Sequence, residues 1–178
     1  MTVIPGLVVA ATGSGRGKTS LAVGLATALS RRGHRVQCFK AGPDFLDPMH
    51  HQAATGRPCH NLDSWMLPES AVAGLFARYA TAADVAVVEG VMGLFDGFSG
   101  DGDAGSTARL AAILGLPVLL VADAQAMGRS AAAMVKGFTE FDPGLEFLGV
   151  VFNRVGGEGH REILAQAMQS VPDVPVLG

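Results

Sequence analysis

The feature that most constrains this chain is the segment Ala11-Thr12-Gly13-Ser14-Gly15-Arg16-Gly17-Lys18-Thr19-Ser20, set between an apolar run and a helical pattern. Residues 7–11 read as a buried strand. Residues 19–32 carry Leu21, Leu25, Ala28 and Leu29 at helical spacing, with Gly33 as the stop. A glycine-rich turn at that junction lets backbone N–H groups face an anion at the helix start. Lys18 is then placed to reach the β- and γ-phosphates of a nucleotide, and Thr19 to offer its hydroxyl to Mg²⁺. The strict pattern wants a glycine six residues before the lysine, where Thr12 stands. The plainer reading, a turn with a solvated lysine, leaves the strand–loop–helix order unexplained. Thr12, Gly13, Ser14, Gly15, Arg16, Gly17, Lys18, Thr19 and Ser20 are therefore the expected phosphate-binding residues.

The rest of the chain repeats the alternation of short apolar runs and longer amphipathic stretches that marks βαβ units around a parallel sheet. Strands are expected at 35–40, 85–88, 118–122 and 147–152, with one more beginning at 174–177. Helices are expected at 69–79, 107–114, 128–141 and 158–170. Residues 41–67 show no sustained period and many polar residues, so they are expected to form a long functional loop. A second glycine-rich loop spans 90–105. No repeat or linker divides the 178 residues, so one α/β domain is expected over 1–178, a mostly parallel sheet flanked by helices. A chain that stops on a strand without a closing helix reads as the front part of a longer protein.

Composition narrows the partners. The chain is 49% hydrophobic and 16% charged, which excludes disorder. Its 13 basic and 16 acidic residues leave no basic face for nucleic acid. The longest apolar run, near 110–122, is broken by Gly115 and Pro117, and the N-terminus lacks a basic region before an apolar one. Two isolated cysteines, Cys38 and Cys59, give no disulfide framework. No membrane and a reduced, cytoplasmic location are expected.

Glu89 ends a continuous apolar strand, at the sheet edge where α/β folds bind ligands. One carboxylate with phosphate oxygens and water suits Mg²⁺. Lys40 ends another strand on that edge, and Asp44 and Asp47 follow between Pro43 and Pro48. Such a cluster suits a further metal ligand and the steering of an anionic acceptor; Asx-turns in a proline-bracketed loop are the bland alternative. His50, His51, Cys59 and His60 match no standard zinc spacing. Asp123 reads equally as a site residue or a helix cap, and Asn153 and Arg154 lie on the edge that could meet a base.

These residues resemble the ATP-binding domain of the cobyrinic acid a,c-diamide synthase family over nearly the whole chain. The resemblance rests on TGSGRGKT, FKAGPDFLDPMHHQAATGRPCHNLDSWML, VVEGVMGLFDG, LGLPVLLVADA and GVVFNR. The wider group includes dethiobiotin synthetase, the runner-up reading as a ligase of a small diamino acid. It also includes partition-type switch ATPases, which carry a second lysine five residues before the loop lysine. Gly13 holds that place here. The resemblance implies a dethiobiotin-synthetase-like nucleotide fold and ATP- and Mg²⁺-dependent amidation of the a and c acetates of a corrin precursor. It implies ATP and Mg²⁺ on Lys18, Thr19, Asp44 and Glu89, catalytic roles for Lys18, Lys40 and Asp47 with Asp47 at the acceptor carboxylate, and Asn153 near adenine. Nitrogen would come from a glutaminase domain or from ammonia, and a homodimer is the assembly kept open.

Overall fold

The computed structural model describes residues 5–178. Its order is β1 (Gly6–Ala11), α1 (Lys18–Arg31), β2 (Val36–Ala41), α2 (Leu46–Thr55), β3 (His60–Leu62) and α3 (Glu69–Ala80). There follow β4 (Val85–Glu89), α4 (Thr107–Leu114), β5 (Val118–Asp123), α5 (Ser130–Phe141), β6 (Phe147–Asn153) and α6 (Glu158–Met168). The six strands form one sheet in the order β3-β2-β4-β1-β5-β6, every pair parallel.

Both faces of the sheet are covered, which is why its strands are continuously apolar rather than alternating. Successive residues still point to opposite faces. Val8 and Ala10 join Phe39, Val88 and Leu120 in a core that includes Val72 and Phe76 of α3 and Leu110 of α4. Val9 and Ala11 turn the other way, with Cys38, Val87 and Val121, against Ala22 and Ala26 of α1. The fully buried face of α1 is thus alanine, with the expected Leu21, Leu25 and Leu29 packed at its margins. Helices α5 and α6 close the far end over Val150 and Phe152.

The sequence-based expectation departs from the structure mainly within 41–67, which is not a featureless loop. It holds α2 and the short β3, which pairs with β2 from Phe39↔His60 to Ala41↔Leu62. Pro48 is compatible with α2 because it sits in the first turn, where its missing N–H has no partner to lose. Gly56 closes the helix in the left-handed region. The tail makes an isolated parallel bridge, Val150↔Val176, beside β6 rather than a full strand.

Candidate active site

The site is assembled at the carboxyl ends of β1, β2 and β4. After β1 the chain turns through residues 12–17 into α1. Gly15 and Gly17 sit at φ 69° and 101°, which side chains rarely adopt. At Gly17 a Cβ would also strike the Asn153 amide. Thr19 lies in the first helical turn, and Ser20 beside it is exposed. Lys18 is buried and its Nζ donates to the Met92 carbonyl, in a loop where Met92 itself takes φ 49°. Burial, then the nearby Lys40 charge, lowers the Lys18 ammonium below its ordinary pKa.

Strand register brings the next two groups together: Lys40 and Glu89 are direct partners across β2 and β4. Glu89 is fully buried. Its Oε1 accepts from Thr19 Oγ1 at 2.5 Å and from Lys40 Nζ at 3.0 Å. Its Oε2 lies 2.6 Å from His51 Nε2. Lys40 also reaches Asp47 Oδ2 at 2.6 Å and the Gly90 carbonyl at 3.0 Å, so its three N–H donors are all engaged. Burial opposes the Glu89 charge, but the His51 hydrogen bond, the Lys40 cation and the Thr19 hydroxyl outweigh it and hold the carboxyl at about 2. Lys40 is likewise desolvated, yet its bond to Asp47 and the Glu89 charge raise it.

Asp44 is placed differently from Asp47. Its Oδ1 accepts from the N–H groups of Leu46 and Asp47, closing the start of α2, while Asn61 Nδ2 ties the Gly42 and Asp44 carbonyls. The turn reading of Asp44 therefore describes one of its oxygens. Asn153 donates from Nδ2 to the Arg16 carbonyl and accepts at Oδ1 from Arg154 N–H, so it braces the phosphate loop. Asp123 caps no helix: Oδ1 accepts from Gln125 N–H, and Oδ2 binds Arg16 at 2.8 Å and Arg154 at 2.7 Å. The residue missed as a site partner is His51. The zinc quartet does not converge. His51 belongs to Glu89, His50 is exposed, and His60 stacks on Tyr79 at 3.6 Å.

A hydroxyl and a carboxylate oxygen 2.5 Å apart beside a phosphate-type loop are hard oxygen donors of the kind Mg²⁺ selects. Among the described residues no cage of three or more His, Cys, Asp or Glu ligands forms. Mg²⁺ needs none, since it keeps waters and phosphate oxygens.

Residues 7–178 match the CbiA family, described as the CobQ/CobB/MinD/ParA nucleotide binding domain. The chain belongs to that family. This CbiA-family domain is 53% identical over 174 residues to the cobyrinate a,c-diamide synthase of Syntrophotalea carbinolica, covering 98% of the chain and 38% of that protein. It is 48% identical over 175 residues to the hydrogenobyrinate a,c-diamide synthase of Streptomyces coelicolor, covering 98% and 36%. The domain thus spans little more than a third of the curated relatives it matches. Its fold is similar to chloroplast FtsY of Physcomitrella patens, with TM-score 0.66 and 16% identity over 99% of this chain and 58% of that one. It is also similar to the 54 kDa signal recognition particle protein of Aeropyrum pernix in complex with GDP, with TM-score 0.62 and 17% identity over 98% and 41%. At such identities the likeness establishes the fold: the expected phosphate-loop nucleotide architecture. Among the described residues, no helix is long and apolar enough to cross a membrane.

Proposed function

We propose that this domain is the synthetase part of a corrinoid a,c-diamide synthase, using ATP to convert two acetate carboxylates of a corrin precursor to amides. The observation that carries the reading is the convergence of Lys18, Thr19, Lys40, Asp47 and Glu89 at one sheet edge, within a chain so similar to named a,c-diamide synthases. A carboxylate is a poor electrophile, so its oxygen attacks the γ-phosphorus of ATP, giving an acyl phosphate and releasing ADP. Ammonia then adds at the acyl carbon, and phosphate leaves as the nitrogen loses its proton. Loop amides and Lys18 would hold the β/γ-phosphates, and Asn153, expected near the base, braces the loop at Arg16. Thr19 and Glu89, with Asp44 as a further donor, would hold Mg²⁺, which supplies neutralising charge at the phosphates. Lys40 holds Glu89 and Asp47 in place through its ammonium, with Asp47 facing the acceptor carboxylate. Phe45, Leu46 and Met49, exposed at the start of α2, offer apolar surface to a large ring.

Nitrogen is expected as ammonia, free or delivered by a glutaminase domain. Burial pushes the Cys38 thiol up to about 12 and raises Cys59 as well, so neither is a thiolate at neutral pH. Both are free thiols, which suits a reducing cytoplasm. The test is phosphate release with ATP, Mg²⁺ and ammonium chloride, with and without cobyrinic or hydrogenobyrinic acid, with product mass followed. Release that depends on the macrocycle, mass gain with ammonium but not glutamine, and loss of both in Lys18→Ala are expected. Macrocycle-independent hydrolysis by a domain that binds ATP would overturn the synthetase reading. Glutamine-driven product that disappears in Cys59→Ser would overturn the nitrogen assignment.

A further inference from the structure

His51 is the one residue of α2 that is wholly buried, and nothing apolar about the helix explains it. Asp47 and His51 stand four residues apart, on one face of α2. That face sends Asp47 to Lys40 and His51 to Glu89. The imidazole touches the carboxylate through Nε2 alone, while its Nδ1 is buried and has no hydrogen-bond partner among the described residues. A histidine kept only for packing would be replaceable by an apolar side chain without leaving a polar atom orphaned. Its position is explained by the one bond it makes.

We propose that His51 is a positioning residue for Glu89. An ionised carboxylate only accepts, so His51 Nε2–H donates to Oε2. With Oε2 held, the carboxylate plane is fixed and Oε1 is the oxygen turned to Thr19 Oγ1. Lys40 contributes charge at Oε1, whereas His51 sets which oxygen faces the phosphate loop. Partners of a ligating carboxylate act in this way, fixing the ligand's direction rather than touching the ion. The inference rests on the reading of Glu89 as the carboxylate for the nucleotide's divalent cation.

The experiment measures Mn²⁺ binding by electron paramagnetic resonance in the full chain with a non-hydrolysable ATP analogue. Metal-free nucleotide affinity is measured alongside by calorimetry. His51→Leu, which keeps bulk without a donor, should weaken Mn²⁺ binding by about 10–100-fold while leaving metal-free nucleotide affinity in place. His51→Gln, whose amide N–H can replace Nε2–H, should restore most of the loss. Should His51→Leu fail to fold, His51→Asn tests the same point, because its shorter amide falls short of Oε2. Unchanged Mn²⁺ affinity in the Leu or Asn variant overturns the proposal, and so does an equal loss in the Gln variant. Glu89→Gln run in parallel separates the two readings. If it binds Mn²⁺ normally, the assignment of Glu89 fails and His51 falls with it. If it loses Mn²⁺ while the His51 variants do not, His51 alone fails.

Discussion

Two charged clusters flank the phosphate loop, and they are built on opposite terms. On the β2–β4 side, Lys40, Glu89 and His51 are almost fully excluded from water, and each sits on a strand or helix. On the β5–β6 side, Asp123 joins Arg16 and Arg154, whose side chains are 44% and 47% exposed. Desolvation makes the first cluster sensitive to the loss of any member, because a buried charge without its partner is strongly unfavourable. Solvent and salt screen the arginines of the second, although Asp123 between them is only 10% exposed, so losing one arginine is expected to matter less. The buried charges are fixed by their partners, and the exposed ones are screened by water.

The sharpest break in that contrast is Lys40→Met, which leaves Glu89 charged and buried without its cation. Urea unfolding should show a loss of about 3–5 kcal/mol, and a loss like that of a surface substitution would mean the two clusters do not differ.

Glu89→Gln keeps the shape and removes the charge. Phosphate release should fall by about 100-fold or more, and the unfolding midpoint at pH 7 should fall too, because buried Lys40 loses one of its two carboxylates. The same variant sharpens the contrast through pH. With its folded pKa at about 2, below the ordinary 4.5, Glu89 is protonated first in the unfolded chain. Its contribution is complete above 4.5 and disappears as pH falls through 2. Melting curves from pH 6 to 2 should lose that part of their acid slope in Glu89→Gln. A residual slope should remain from exposed Asp84, which hydrogen bonds from Arg35 also hold at about 2.

Asp123→Asn should do least. Releasing both arginines ought to weaken ATP binding by less than about tenfold, and the difference should shrink as salt rises. A larger, salt-insensitive loss by calorimetry would place Asp123 among the buried, indispensable groups.

Where sequence and structure agree, the reason is physical. The strand–loop–helix order around Lys18 is written in apolar periodicity and glycine placement, and Glu89 and Lys40 are visible because each ends an apolar run. Helix α2 was hidden for the opposite reason. Its inward face carries Asp47 and His51 into an ionic corner rather than an apolar core, so no hydrophobic period marks it. Pro43 and Pro48 bracket its start and read as loop. His51 could have been found from its spacing to Asp47, but only once a helix was assumed. The double role of Asp123 depends on two arginines far apart in the chain, a relation that no local pattern carries.

The pairing of Lys40 with Glu89 across β2 and β4 has a consequence for any attempt to rebuild this domain. Side chains alternate between the two faces of a strand, so a single-residue insertion or deletion inside β2 would swing Lys40 to the α3–α4 side and put Phe39 or Ala41 in its place. The apolar positions of β2 could exchange faces at modest penalty, but Lys40 would enter the apolar core around Phe39 and Val72 and leave Glu89 without that cation. The charge pair could not survive such a slip, because the ammonium and the carboxylate would then lie on opposite sides of a wall of backbone. Loop length around this site is open to change; strand length up to Lys40 and Glu89 is a matter of parity, odd or even, with no intermediate setting.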